Sequence, residues 1–230
     1  MVSPYPLITC ICITNQRVEL LKRATACFKA QNYPNKELLI SYPTKDTLTK
    51  KSIDDLISET DIVINQIERP DDMNLGDARN QAVEQSNGIY ICTWDDDDWY
   101  HPHRLTYQLS YLQQAGDHFH ACVINQLILY DQITRKSYLS FLYPWENTLL
   151  CKKEVFNRIR YTSLDRGEDS NIIDIVDGDK QLYHIWNSPF LYIYVYHSGN
   201  TWGYEHFKSF IKRSEELNHE LNENIIRLLK

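Results

Sequence analysis

Asn87-Gly88-Ile89-Tyr90-Ile91-Cys92-Thr93-Trp94-Asp95-Asp96-Asp97-Asp98-Trp99-Tyr100 is the stretch on which the reading of this chain turns. Asn87-Gly88 stops the helix before it. Ile89 to Trp94 then reads as a short apolar strand, and four aspartates follow without a break. Adjacent carboxylates at a strand end are costly, because like charges repel and partial burial strips their hydration. A divalent cation relieves both costs. Mg²⁺ and Mn²⁺ take oxygen ligands, commonly one or two carboxylates with the rest supplied by phosphate and water. Side chains in a tight turn diverge, so one or two ligands are expected here. The competing reading is a solvated acidic turn, and Trp94 before the cluster and Trp99-Tyr100 after it argue against that.

Working outward, Leu7 to Ile13 reads as a buried strand broken by Thr14-Asn15-Gln16. Glu19 to Gln31 has helical spacing through Leu20, Leu21, Ala24, Phe28 and Ala30, and Asn32 to Asn35 ends it. Glu37 to Tyr42 and Ile62 to Ile67 are further strands, with Ser52 placed to cap a short helix Ile53 to Ser58. A helix near Asp77 to Ser86 sets Ala78 and Ala82 on one face. After the aspartates, His101-Pro102 opens a helix that buries Leu105, Leu109 and Leu112. Strand and helix alternate, which predicts an α/β fold with a mainly parallel central sheet flanked by helices. Such sheets bind ligands beyond the C-terminal ends of their strands, where Thr14 and the aspartates sit.

The second half is less regular. Cys122 to Tyr130, Ser137 to Leu142, Gln181 to Trp186 and Phe190 to Tyr196 read as strands, and Cys151 to Arg158 and Ser170 to Val176 as helices, with an acidic turn at Asp165 to Asp169. Glu205 to Leu229 reads as one long amphipathic tail; Ile211, Leu217, Leu221, Ile225 and Leu229 recur at near-helical spacing. That face packs on the domain or makes a homodimer contact.

Composition narrows the functions available. The 230 residues carry a net charge of -7, against a role in holding nucleic acid, which needs a basic surface. No apolar run reaches the length of a spanning helix. Met1 to Pro6 lacks the basic segment and apolar run of a secretory signal. The chain is therefore expected to be cytoplasmic, with room for peripheral contact at the inner face of the membrane. Six cysteines without a paired spacing are expected to be buried and reduced.

Asn74 to Leu105 resembles the conserved centre of the family 2 glycosyltransferases, which have the GT-A fold. The residues that carry the resemblance are Gly76, Ala78-Arg79-Asn80, Gly88-Ile89-Tyr90, Asp95 to Asp98, Trp99-Tyr100 and Pro102-His103-Arg104-Leu105. Thr14 to Leu21 is similar to that family's opening of the first helix, and Gln31 to Pro34 and Glu37 to its next turn and strand. The resemblance implies a single GT-A domain over 1-230, with a donor-binding half to about 115, an acceptor-binding half at about 116-203 and a helical tail at 204-230. It implies a nucleotide-sugar donor, UDP-linked, with Mn²⁺ or Mg²⁺. Asp97 would be the principal metal ligand and Asp95 would lie near the metal and the donor ribose or sugar. Asp96, Thr14, Asn15 and Arg17 would fall in the donor region, where the last three read equally as strand-end and helix-start residues. Arg79 would meet the diphosphate, or else pair on the helix surface with Glu84 or Asp77. The family's base-reading carboxylate is missing at Ser41-Tyr42-Pro43; Tyr42 would substitute by stacking, with Asp46 nearby but out of register.

Transfer also needs a base for the acceptor hydroxyl, apart from the metal-bound aspartates. Gly167-Glu168-Asp169 is the best downstream candidate: Gly167 permits a tight loop and two carboxylates precede a helix, whose start they would otherwise cap. The family places a Gly-Glu-Asp motif there, which implies Asp169 as base with Glu168 catalytic in support or binding acceptor. His197 would touch the diphosphate, complete the metal shell or only brace its loop. Trp145 and Glu146 would stack on and hydrogen-bond to an acceptor sugar, unless Trp145 is a core residue. The implied activity is a metal-dependent, inverting hexosyl- or N-acetylhexosaminyl-transfer to a carbohydrate, lipid-linked glycan or protein acceptor, in glycan or polysaccharide biosynthesis. Clustered aspartates also serve nucleotidyltransferases and metal-dependent nucleotide-sugar phosphohydrolases. A carbohydrate-binding or assembly protein is the non-enzymatic alternative.

Overall fold

The computed structural model describes residues 5–230, so Met1 to Pro4 of the N-terminal segment lie outside the described residues. In chain order the elements are β1 (Ile8–Ile13), α1 (Val18–Lys29), β2 (Lys36–Pro43), α2 (Thr47–Glu59), β3 (Ile64–Arg69), α3 (Leu75–Gln85) and β4 (Tyr90–Thr93). They continue through β5 (Trp99–Tyr100), α4 (Arg104–Ala115), β6 (Ala121–Ile124), β7 (Ile128–Asp131), β8 (Lys136–Leu139) and β9 (Leu150–Lys152). The last are α5 (Ser170–Gly178), β10 (Leu182–Ile185), β11 (Tyr192–Tyr196), α6 (Tyr204–Ile211), β12 (Glu215–Glu216) and α7 (His219–Leu228).

Two-residue periodicity sets the layers. In β1, Ile8, Cys10 and Cys12 enter one core cluster with Leu21, Ala24 and Phe28 of α1 and Leu105, Leu109 and Leu112 of α4. Ile11 points the other way, into a cluster with Val83 of α3 and Ile172, Ile173 and Val176 of α5. A strand buried on both faces must be apolar or pair its polar groups, as this one does: Thr9 donates its hydroxyl to the Glu37 carboxylate. The first sheet has the order β10-β6-β9-β4-β1-β2-β3. All its pairings are parallel except those of β9 with β4 and β6. This is the α/β arrangement expected. A second sheet, β12-β8-β7-β11-β5, stands beside it. The six cysteines are buried and unpaired, and among the described residues no helix is long and apolar enough to cross a membrane.

Several expectations need correction. Ser52 does not cap a short helix: α2 begins at Thr47, where the Asp46 carboxylate accepts the Thr49 N–H at 3.1 Å. The apolar run Cys122 to Tyr130 is two strands in different sheets, β6 and β7, with the chain crossing over at Asn125 to Leu127. Cys151 to Arg158 is not an α-helix. Leu150–Lys152 is a strand between β4 and β6, and Lys153–Asn157 is a 3₁₀ turn. Short apolar runs fit either a strand or a buried helix, and pairing decides between them. The tail is not continuous either. Between α6 and α7, Glu215–Glu216 pairs antiparallel with β8. Ile225 and Ile226 then pack against Tyr130, Ile193 and Val195, which places the tail on the second sheet.

Candidate active site

The aspartates occupy the seam between the two sheets. β4 ends at Thr93, and β5 already pairs with β11 in the second sheet. Trp94 anchors the turn: it is fully buried, donates its indole N–H to the Ala24 carbonyl at 3.1 Å and stacks on Tyr100 with centroids 3.9 Å apart. Asp98 accepts from the Tyr192 hydroxyl and from the Val195 N–H at 2.8 Å, tying the turn to β11. Burial, with repulsion from Asp97 and Asp95, pushes the Asp98 carboxyl well above the usual carboxylate range. Asp98 is thus a strut.

Strand register brings Thr14 to the cluster. β1 and β4 run parallel with Ile11 opposite Thr93, so three residues further on Thr14 meets Asp96, and its hydroxyl donates to Asp96 Oδ2 at 2.6 Å. Arg17 Nη1 lies 3.2 Å from Asp96 Oδ1 and 3.1 Å from Asp97 Oδ2. Burial and the neighbouring Asp97 push Asp96 up to about 7, with Arg17 and Thr14 acting against them. Asn15 is exposed beside this group.

Asp97 draws donors from the late segment as well. His197 Nε2 lies 3.2 Å and Asn200 Nδ2 3.3 Å from Asp97 Oδ2. His197 Nδ1 accepts the Gly199 N–H at 3.0 Å, so a neutral ring carries its proton on Nε2. In this conformation His197 donates to Asp97 and has no lone pair free for a cation, unlike the metal-ligand role expected of it.

The four aspartates fit an oxygen-seeking cation, because their mutual repulsion and burial are what such an ion relieves. Among the described residues no group of three histidine, cysteine or acidic side chains is arranged to hold a metal by itself. A cation here would need oxygens from its ligand in addition to Asp97.

Arg79 joins this cluster to the downstream acidic motif. Buried in α3, it donates from Nη2 to Asp95 Oδ1 at 3.0 Å, and its Nε lies 3.0 Å from Glu168 Oε1. It is not a surface partner of Glu84, which instead pairs with Arg160, or of Asp77, which bonds Asn74 and Ser163. Burial would lower the Arg79 pKa, but Asp95 and Glu168 outweigh it and hold it well above the ordinary value. Glu168 is itself raised by burial, with Arg79 opposing. Gly76 makes this junction possible: a Cβ there would overlap the Thr162 carbonyl, whose residue bonds the Glu168 carbonyl at 2.9 Å.

Asp95 to Asp98 and Gly167 to Ser170 line one cavity of about 450 Å³, a size that suits a small ligand. Asp169 stands at the N-cap of α5, yet its side chain makes no capping bond. Glu146 is close by. Its Oε1 accepts from Tyr143 and Ser170 hydroxyls, both at 3.2 Å, and burial with the Asp169 charge pushes it up to about 7. Trp145 is a wall residue rather than an open platform: it is 4% exposed and packs on Phe141, Tyr143 and Phe210. Tyr42 does not stack on a ligand. It is fully buried, with its hydroxyl 3.0 Å from Gln66. Asp46 is engaged by the Gln16 and Thr49 N–H groups.

The sequence pattern marks neither Arg23, which donates to the Asp97 carbonyl, nor Asn200, three residues after His197. The same holds for Arg166 and Arg213, which line the cavity. No motif joins Arg166 and Arg213, and they come together only in the lining of the folded cavity.

Residues 9–182 match the model of glycosyl transferase family 2. No curated protein sequence matches the chain. Among solved structures it is similar to S. aureus TarS 1-349 in complex with UDP-GlcNAc, at a TM-score of 0.65 and 15% identity over 84% of this chain and 60% of that one. It is similar to the mannosyltransferase PcManGT from Pyrobaculum calidifontis in complex with GDP-Man and Mn²⁺, at 0.68 and 13% over 92% and 63%. Glucosyl-3-phosphoglycerate synthase from Mycobacterium tuberculosis, in complex with Mn²⁺, UDP and glucosyl-3-phosphoglycerate, aligns at 0.58 and 11% over 90% and 76%. At these identities the likeness is one of fold, and the chain spans about 60% of the TarS fragment.

Proposed function

Because the chain belongs to glycosyl transferase family 2, we propose that it transfers a sugar, with inversion, from a nucleoside diphosphate donor to an acceptor hydroxyl. The observation that carries this reading is the one cavity lined by both Asp95 to Asp98 and Asp169, with Arg79 ion-paired to each motif. The related folds hold UDP-GlcNAc and GDP-Man, which supports a nucleotide-sugar donor. A UDP-linked hexose or N-acetylhexosamine is our first choice, and a carbohydrate, lipid-linked glycan or protein the acceptor.

In this reading Asp97 would hold Mn²⁺ or Mg²⁺, which would supply positive charge to the departing phosphate. Asp95 stays on Arg79 near the donor sugar, and Asp96 with Thr14 and Arg17 shapes the floor beneath the nucleotide. His197 and Asn200 orient the Asp97 carboxylate. Asp169 accepts the acceptor's proton as the hydroxyl oxygen bonds to the anomeric carbon. The carbon–oxygen bond to the diphosphate breaks in the same step, and its electron pair leaves with the nucleotide. Glu168, neutralised by Arg79, holds the loop that carries Asp169, and Glu146 meets the acceptor.

The test is a donor panel of UDP-, GDP- and TDP-sugars with Mn²⁺ or Mg²⁺, with the product's anomeric configuration read by NMR. Asp169→Asn is expected to retain donor binding while turnover falls by roughly 10²–10⁴-fold, the usual contribution of a general base. Retention of configuration, or release of sugar at full rate without acceptor, would overturn the proposal.

A further inference from the structure

The cavity wall also presents side chains that the transfer chemistry above leaves unused. Trp202 stacks on His206 with centroids 4.3 Å apart, His206 meets Phe210 at 4.7 Å, and Phe210 meets Phe141 at 6.1 Å. The ring ribbon is capped by a cation at each end. The Arg166 guanidinium lies 5.5 Å from the Trp202 centroid, and that of Arg213 lies 3.6 Å from the Phe141 centroid. All six residues line the same cavity as Asp169.

These two arginines differ from the others in the cavity. Arg17 and Arg79 have carboxylate partners, whereas Arg166 and Arg213 form no ion pair among the described residues. A guanidinium held over a ring face keeps its N–H groups for an anionic partner, and its fork matches the paired oxygens of a phosphate. The rest of the lining is strongly acidic, from Asp95 to Asp98 through Glu146, Glu168 and Asp169. An anionic substrate portion would be repelled from that surface unless cations met it first.

We infer that the acceptor carries a phosphate group beside the sugar or polyol that receives the new linkage. The phosphate oxygens meet the guanidinium at one end of the ribbon, Arg166 or Arg213, and the rings take the C–H face of the neighbouring sugar or polyol. Aromatic faces suit such apolar faces flanked by polar groups. This assignment rests on the transferase reading and adds the substrate class to it.

The experiment measures binding to the full chain in the presence of UDP and Mn²⁺, by saturation-transfer NMR, with glucose, glucose 6-phosphate and inorganic phosphate as probes. Phosphatidylglycerol vesicles, compared with phosphatidylcholine, test whether the phosphate is lipid-borne. Glucose 6-phosphate is expected to bind better than glucose. Arg166→Gln with Arg213→Gln is expected to remove that advantage, a loss of about tenfold or more for charge-assisted bonds. UDP affinity should stay at the parent's value, and Arg213→Lys should recover part of the phosphate binding. Arginine-dependent vesicle binding would assign a lipid-linked phosphate, and arginine-dependent binding of the soluble probe alone a free one. Equal binding of glucose and its phosphate, with no vesicle preference, would overturn the inference. So would a fall in UDP affinity in the double variant, which would give these arginines to the donor. A parent that binds none of UDP, GDP and TDP with Mn²⁺ would instead bring down the transferase reading.

Discussion

At the scale of single residues, the direction of one hydrogen bond separates two roles for His197. The Gly199 N–H points at Nδ1, so the ring faces Asp97 with a donor. A ligand histidine would need the reverse tautomer, with a lone pair on Nε2. Glutamine can replace the donor but is a poor substitute for an imidazole ligand. His197→Gln is therefore expected to keep Mn²⁺ affinity, measured with UDP present, to within about tenfold, the smallest loss typical of residues that orient a ligand. A much larger loss would mean that the loop turns and His197 binds the ion. Asp169 poses a similar question. A capping aspartate would bond an α5 amide, and this one does not. The steep loss of turnover expected for Asp169→Asn consequently has no helix-capping explanation.

At the scale of elements, the start of α3 depends on one glycine. Its N–H reaches the Leu164 carbonyl at 3.0 Å, and the loop carrying Glu168 closes against it. Gly76→Ala drives a methyl group into a main-chain carbonyl, which cannot rotate away as a flexible side chain would. The expected cost is roughly 1–3 kcal/mol of stability by overpacking, seen in urea unfolding, together with a fall in kcat as Glu168 and Asp169 shift. A variant with parental stability and kcat would show that the loop yields freely. On β2, Glu37 is a buried brace. Burial alone would raise its pKa, but bonds from Thr9, Asn87 and Asn65 outweigh this and hold it low. A carboxylate lowered in the folded state stabilises the fold above its unfolded pKa of about 4.3. That contribution is lost as pH falls through the folded value. Glu37→Gln should cost about 1–3 kcal/mol at pH 7 and flatten the acid limb of stability against pH. An unchanged acid limb would remove Glu37 from the account.

At the scale of the whole molecule, the C-terminal segment completes both a core and the site. Ile225 and Ile226 cover Tyr130, Ile193 and Val195 on the second sheet, and Phe207 is buried in the main core. Phe210 and Arg213 reach the cavity. Ending the chain at Trp202 would expose these apolar surfaces together. Aggregation, or a change of mass in size-exclusion chromatography, is the expected result. A monomeric, cooperatively unfolding truncation with the parent's profile would show that the tail is dispensable.

The information legible along the chain is local and periodic. Near-continuous apolar runs in Ile8–Ile13 and Tyr90–Thr93 specify strands buried on both faces, and the four aspartates after β4 announce a charged strand end whatever surrounds them. Gly76 and Gly167-Glu168-Asp169 were visible as motifs. Tertiary structure alone decided what each polar group faces. Arg79 stands out in Ala78-Arg79-Asn80, but only the placing of α3 shows that its partners are Asp95 and Glu168. Tyr42 looks like a stacking ring until the sheet closes over it. The break at Asn125 is hidden because both flanking runs are apolar, and strand pairing, not composition, sends them to different sheets. Arg166 and Arg213 are 47 residues apart by their numbers, and no spacing rule joins them. The physical reason is range: periodicity reports which side of one element is dry, whereas ion pairs and cavities belong to surfaces that meet only when distant elements pack.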